Sequence, residues 1–410
     1  MIEPSRSETM WDILLAQDSY ISDIMEAQIA ARASAGKRDA KVTKFRELLF
    51  SRGLDKIPAS SNPIPLPSTP EIMIDGVNPT SATMFKSALY PALVEFRVGV
   101  NYDLVPPVQP TESLFTSSSP VSSTYKVSYS SRISSEGSAH SIGQHSNSTY
   151  KVIVKTGDDL RQDQLVMMMI RLMDGLLKRS TLDLCLRPYS IIATHSSPPA
   201  GLVEYVEGSL SVSQVLSQNN YSILKFLQAS SPSKGSKLGV TDKVMQNYVR
   251  SCAGYCVITY ILGVGDRHLD NIMLLPNGQL FHIDFGYIFG RDPKPLPPPF
   301  RITKEMVEGM GGTDSPEYRL FCSLAGQAYN VLRRHAGLIL NLLHLMSDAG
   351  IEDLPSENAE GVIQRVEERL RLELTDEQAE AFFLRLIGES LKSLAPRVME
   401  VFHGWAVSMR

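Results

Sequence analysis

The side chains best suited to chemistry in this chain fall in two short loops. One holds Asp266, Arg267, His268, Asp270 and Asn271, and the other is Asp284-Phe285-Gly286. Carboxylate and carboxamide oxygens are hard donors that suit magnesium or manganese held against phosphates. An imidazole beside them can take the proton of an attacking hydroxyl. The combination describes phosphoryl transfer, in which positioning and charge neutralisation do most of the work. Asp-Phe-Gly alone would say little; its weight comes from the Asp-Arg-His-x-x-Asn loop just upstream. Asp266 could be the base in place of His268, or could orient it, and the sequence leaves both open. Arg267 reads as a structural brace.

The two loops need an element that sets them side by side. Apolar 271–275, the turn Pro276-Asn277-Gly278 and apolar 280–283 spell a β-hairpin whose ends meet at one edge. Upstream, 241–262 reads as a long helix stopping at Gly263, and 160–177 as a helix with Leu165, Met169 and Leu176 at core spacing. Strand-like pieces at 71–75, 85–89, 93–98, 150–155, 190–194 and 201–206 predict an antiparallel sheet.

The chain has 410 residues and a formal charge of -4, enough for a sizeable core and no argument for nucleic acid as a partner. No apolar run reaches the length of a membrane span, and the N-terminus lacks a secretory apolar stretch, so the expected compartment is the cytoplasm. Cys252 and Cys256 sit one helical turn apart with no second Cys or His pair nearby, so a zinc site is not expected.

Taken in order, 1–55 predicts a helical segment, the tail of a larger helical scaffold, with Trp11, Leu14, Ile21, Ile24, Phe45 and Leu49 on its apolar faces and Gly53 as its stop. The proline-rich stretch 56–70 predicts a linker without regular structure. Residues 71–207 form a sheet-rich lobe, interrupted at 109–149 by a serine-rich insertion expected to be disordered. Residues 208–410 form a helical lobe. It carries both loops, a helix at 316–348, another at 358–372, and a third opening with a Thr375/Gln378 capping box. A final helix, 396–409, sets Phe402 and Trp405 on one face and could lie in a membrane interface. The fold class is α+β and two-lobed, an antiparallel-sheet lobe followed by a helical one.

A strand ending in a lysine, a polar edge strand and a helical lobe with two such loops is the plan of a two-lobed kinase. The order Asp266-Arg267-His268 reverses the one protein kinases use, and neither a Gly-x-Gly-x-x-Gly loop nor a Walker A sequence is present. With Lys155-Thr-Gly-Asp-Asp-Leu-Arg-Gln-Asp163, the stretches 251–271 and 281–312 resemble the phosphatidylinositol 3-/4-kinase family. Within it, they are most similar to the class III, vacuolar-sorting 3-kinases. The likeness covers roughly 70–410. It implies a catalytic fragment, since the family's C2 domain and most of its helical domain lie outside this chain.

The resemblance assigns roles. It implies that Lys155 meets the α-phosphate of ATP, that Asp158, Asp163 and Tyr189 line the inner nucleotide pocket, and that Ser87 donates to the outer phosphates. It places Glu204, Tyr205 and Val206 at the adenine hinge, with Met273 and Ile283 against the ring. Asn271 and Asp284 would hold magnesium or manganese. Acceptor choice falls to 287–312, where only Arg291, Lys294 and Arg301 are basic. So sparse a charge suits phosphatidylinositol without further phosphates better than its bisphosphate.

The implied reaction is ATP-dependent 3-phosphorylation of phosphatidylinositol in membranes, serving endosomal sorting and autophagy. The implied setting is cytoplasmic and peripheral on endosomal and autophagic membranes, with a protein-kinase-like regulatory subunit and a coiled-coil autophagy subunit as partners. A related phosphatidylinositol 4-kinase or a protein kinase of the same fold is the alternative, and a non-catalytic scaffold a third reading. Intact Lys155, Asn271 and Asp284 weigh against the scaffold.

Overall fold

Apolar residues at helical spacing build two helices at the start of the chain, α1 (Arg6–Ala33) and α2 (Arg38–Ser51), and Gly53 at φ +68° ends the second. The structure, a computed structural model, describes residues 6–58, 63–99, 149–194, 197–294, 300 and 302–391. Tyr20, Ile24, Phe45 and Leu49 share one core with Phe96, Val152, Val154 and Leu202 of a sheet. The helix pair therefore packs on the lobe that follows it. Trp11 and Leu14 do not join that core, as expected of them, but are exposed; the buried face of α1 begins only at Gln17.

The sheet contains β1 (Ile64–Leu66), β2 (Thr69–Val77), β3 (Thr83–Met84), β4 (Ala92–Val98) and β5 (Thr149–Thr156). After helix α3 (Arg161–Arg179) it is completed by β6 (Ile191–Thr194) and β7 (Ala200–Glu204). The order is β1-β2-β4-β5-β7-β6, with β3 also on β4, and every pairing is antiparallel. Two local expectations are corrected. The stretch 56–70 is not wholly irregular, because Pro65 sits in β1 opposite Met73 and β2 begins at Thr69. At the edge of a sheet, the N–H that proline lacks is not needed for the ladder. Nor are residues 85–89 a strand. The Phe85 N–H bonds to Pro91 O at 2.8 Å and Tyr90 takes φ +46°, which closes a loop between β3 and β4.

Two-residue alternation gives the sheet two working faces. Val152 and Val154 of β5 turn toward α1 and α2, while Ile153 and Lys155 turn toward the second lobe. That lobe begins with β8 (Leu210–Ser211), α4 (Val212–Gln218) and α5 (Ile223–Ser230), followed by the long α6 (Asp242–Ile261). The hairpin is present as β9 (Ile272–Leu274) and β10 (Leu280–His282), with β8 added beside β9. The two short helices α4 and α5 were not read from the sequence, although Ser211 and Gln214 make a capping box at the start of α4.

Helix α7 (Lys304–Gly309) precedes α8 (Pro316–Arg334) and α9 (Ala336–Leu345). The single helix expected over 316–348 is thus broken at His335, whose backbone (φ -106°, ψ 17°) leaves the helical region while its Nδ1 lies 2.9 Å from Val331 O. Helix α10 (Ala359–Leu370) follows, ended by Arg371 at φ +47°. The last described helix, 376–391, opens on the expected reciprocal bonds of Thr375 and Gln378, 3.1 and 3.3 Å. Arg301, nearly all of the insertion at 109–149, and the helix 396–409 with Phe402 and Trp405 lie outside the described residues. No helix among the described residues is long and apolar enough to cross a membrane.

Candidate active site

A cavity of about 290 Å³ opens between the inner face of the sheet and the β9–β10 hairpin. Its sheet side carries Ile153, Lys155, Ile191, Val203 and Glu204, and its floor carries Asn271, Met273, Phe281, Ile283 and Asp284. The hairpin register explains the floor. Met273 pairs with Phe281, both facing the cavity, while Ile272 and Leu274 are buried on the other side.

Of the residues singled out from the sequence, the cavity brings together Lys155, Asp163, Tyr189, Glu204, Tyr205, Val206, Asn271, Met273, Ile283 and Asp284. It does not include Ser87, which is exposed; Phe85, at the start of the same loop, lines the cavity instead. Asp158 is not in the wall but touches it through Lys155, Nζ to Oδ2 3.0 Å. Asp266 and His268 are not among the lining residues either. Sequence reasoning missed Phe85, Ile153, Leu160, Ile191, Val203, Ser209 and Phe281 as lining residues. For the strand residues, alternation with Lys155 and Met273 was the available signal.

Lys155 is opposed by burial, but Asp158, Asp163 and Asp284 outweigh it and raise its pKa, so it stays a cation. Asp163, half-buried at the start of α3, is pushed up to about 6 chiefly by burial, with Asp284 and Asp158 adding to it and Lys155 and the Phe285 N–H resisting. That N–H donates to Asp163 Oδ1 at 3.1 Å and so fastens the Asp284 loop to α3. Tyr189 is almost fully enclosed, edge-on to Phe281 with ring centroids 6.0 Å apart.

At the hinge, the Glu204 side chain turns away to Arg187 and the Ser190 N–H. The Tyr205 N–H is spent on Lys151 O at 3.0 Å. The Val206 N–H donates to no acceptor among the described residues, which leaves it for a base in the cavity.

Asp266 and Asp284 both adopt left-handed backbone, φ +47° and +61°. Asp tolerates this region better than most residues, yet it is sparsely used outside functional sites and tight turns. Arg267 sustains it. Buried, it donates to Gly265 O at 2.7 Å, to Ile283 O at 2.8 Å and to Asp284 O, and lies over the Phe285 ring. Gly265 is required beside it, because a Cβ there would fall 2.1 Å from Arg291 O.

His268 stands between two carboxylates, Nε2 3.8 Å from Asp266 and Nδ1 3.9 Å from Asp270. Its Nδ1 is enclosed without a hydrogen-bond partner among the described residues, whereas the side chain as a whole is 43% exposed. Asp266 also faces Lys294 Nζ at 3.6 Å, and its N–H donates to Asp292 at 2.8 Å. His282, the other histidine here, is fully enclosed and stacked on Tyr255, and burial drives its pKa well down. It is no rival to His268 as a base.

Asn271 spends its side-chain N–H on Asp266 O at 3.2 Å, so its oxygen is what it can offer a cation. Paired with Asp284 on the same floor, it supplies the hard oxygen donors that magnesium or manganese prefers, and the set fits such an ion shared with phosphate oxygens.

The family model described as phosphatidylinositol 3- and 4-kinase matches residues 149–356, which include every described residue of this site except Phe85. The chain is 39% identical over 396 residues to "Phosphatidylinositol 3-kinase, root isoform" of Glycine max, covering 97% of this chain and 42% of that protein. It is also 39% identical over 397 residues to "Phosphatidylinositol 3-kinase VPS34" of Arabidopsis thaliana, with the same coverage. To the protein of that name in Saccharomyces cerevisiae it is 40% identical over 344 residues, 84% of this chain and 34% of that one. The chain spans about two fifths of the length of the first of these relatives.

Proposed function

Since the chain belongs to the phosphatidylinositol 3- and 4-kinase family, we propose that it transfers the γ-phosphate of ATP to the 3-hydroxyl of phosphatidylinositol. The observation that carries the reading is the meeting of Lys155, Asp163, Asn271 and Asp284 in one cavity beneath the hinge. Likeness along nearly the whole chain to proteins named phosphatidylinositol 3-kinase supports the lipid acceptor and the 3-position.

In this reading the adenine lies between the sheet residues Ile153 and Ile191 and the floor residues Met273 and Ile283, and accepts from the Val206 N–H. Lys155, held by Asp158 and Asp163, meets the nucleotide phosphates as a fixed positive charge. Asn271 and Asp284 hold magnesium or manganese, which neutralises charge that develops on the phosphates. His268 takes the proton of the 3-hydroxyl at Nε2, the nitrogen on the Asp266 side. The hydroxyl oxygen then bonds to the γ-phosphorus as the bond to the β-phosphate oxygen breaks, and ADP leaves. Asp266, set between Lys294 and His268, faces that same nitrogen and stabilises the imidazolium that forms once the proton arrives. The sparse basic set of Arg291, Lys294 and Arg301 suits an acceptor of low charge, with Arg291 partly engaged by Asp353 and Glu352. Phe402 and Trp405 supply aromatic side chains of the kind that suits a membrane surface. Endosomal and autophagic membranes, a protein-kinase-like regulatory subunit and a coiled-coil autophagy subunit complete the proposed setting.

The test offers labelled ATP with phosphatidylinositol, its 4-phosphate, its 4,5-bisphosphate or a generic protein, with Asp284→Ala as control. Label should enter phosphatidylinositol at the 3-position and vanish in the control. Preference for the bisphosphate, label at the 4-position, or label only in protein overturns the reading.

A further inference from the structure

Asp353 lies outside the cavity and belongs to none of the motifs above, yet it organises the start of the segment that follows Gly286. It is 2% exposed, with its side chain wholly enclosed. Its Oδ2 accepts from the Ile288 N–H at 2.8 Å and from Gln162 Nε2 at 3.1 Å. Its Oδ1 pairs with the Arg291 guanidinium, which also reaches Glu352 at 3.2 Å. Gln162 answers in turn, its Oε1 accepting from the Asp353 N–H at 3.0 Å and its Nε2 donating to Phe285 O at 2.8 Å. A carboxylate so enclosed survives only with its charge matched and its oxygens bonded, and here both conditions are met.

These bonds converge from three directions. Ile288 and Arg291 belong to the acceptor segment, Phe285 to the Asp284 loop, and Gln162 is the neighbour of Asp163 in α3. Arg291, expected to face the lipid, is therefore partly committed to the protein: its Nη1 is turned to Asp353 and Glu352, and the guanidinium lies 5.9 Å from the Tyr287 ring. Helix α10 reinforces the same stretch, with Arg365 donating to Phe289 O at 3.3 Å.

We infer that Asp353 is a positioning residue for the acceptor half of the reaction, fixing residues 288–291 and, through Gln162, keeping them in register with Asp163. It touches neither substrate. The inference rests on the lipid kinase reading above and adds to it which residue sets the acceptor segment.

Asp353→Asn keeps an oxygen for Ile288 and Gln162 but removes the charge that holds Arg291; Arg291→Gln removes the other partner. Kinetics are read on mixed phosphatidylinositol and phosphatidylcholine vesicles at saturating ATP, with nucleotide Kd measured separately. Each single variant should lower kcat/KM for lipid about tenfold or more. In Asp353→Asn the nucleotide Kd should stay within about twofold, and the double variant should be no worse than the poorer single, as expected of a coupled pair. Amide exchange at 288–291 is followed in parallel and should accelerate at least about tenfold in Asp353→Ala. That readout needs no acceptor, so a wild-type chain inactive on phosphatidylinositol would defeat the lipid reading and still leave the positioning role measured. Lipid kinetics within twofold of wild type, additive losses in the double variant, or equal losses of lipid turnover and nucleotide affinity would overturn it.

Discussion

Arg267 donates to the main-chain oxygen of Asp284, so the residue between the two candidate base groups physically holds the loop that carries the candidate metal-binding carboxylate. Both loops keep left-handed aspartates, a conformation that costs on the order of 1–3 kcal/mol for a residue other than glycine. The three carbonyls that Arg267 satisfies sit where that cost has to be offset.

Replacing Arg267 should therefore damage catalysis and stability together. Arg267→Gln leaves buried carbonyls short of donors, at about 1–3 kcal/mol. We expect turnover on phosphatidylinositol to fall about a hundredfold, with a lower thermal midpoint. Arg267→Lys should not rescue it, because an ammonium cannot reproduce the planar fork. Steady-state kinetics with thermal unfolding check this, and full activity in the lysine variant would contradict it.

Gln28 gives a contrasting expectation on the nucleotide side. Fully buried in α1, it accepts from the Thr156 hydroxyl next to Lys155 and donates to Leu89 O and Tyr90 O, at 3.1 and 2.7 Å, in the loop that carries Phe85. Gln28→Leu should weaken nucleotide binding several-fold, about 1 kcal/mol, and leave KM for lipid nearly unchanged. Nucleotide titration alongside lipid saturation curves separates the two.

The elevated Asp163 makes a prediction about pH. Its carboxyl is raised from an ordinary value near 3.8 to about 6 in the folded state, so the native form binds the proton more tightly than the unfolded chain. The group's stabilising contribution is thus fully present below about pH 4 and is lost as pH rises through about 6, on the order of 2–3 kcal/mol. Asp163→Asn should flatten that part of the stability curve. Denaturant unfolding of both proteins across the window measures it; curves of identical slope would show that Asp163 is not the group responsible.

The first two helices should behave as part of the catalytic core. Phe45→Ala empties a fully buried position between α2 and the sheet and should cost about 3–5 kcal/mol. Chemical denaturation reads this directly, and a loss under about 1 kcal/mol would mean that α1 and α2 are only loosely attached.

The candidate groups were legible from the chain because their placement is encoded locally. Asp266, His268, Asn271 and Asp284 flank a hairpin whose turn and alternation are written in neighbouring residues, and the Thr375 cap and the Gly53 stop are equally short-range. Lys155 could be set at a strand end for the same reason. Features that failed were those that neighbours do not decide. Proline in 56–70 argued against a strand until a sheet edge was available to receive it, and the long helix at 316–348 parted at a histidine that bonds back to its own turn.

By itself, then, the sequence determined which groups are candidates for phosphate, cation and proton, since residue type and spacing around a hairpin suffice to nominate them. The tertiary structure alone decided that Phe85 and not Ser87 reaches the cavity, that Trp11 and Leu14 stay exposed, and that Arg291 is tied to Asp353. Each of these depends on surfaces brought together from distant parts of the chain, and neither periodicity nor local spacing carries information about which surfaces meet.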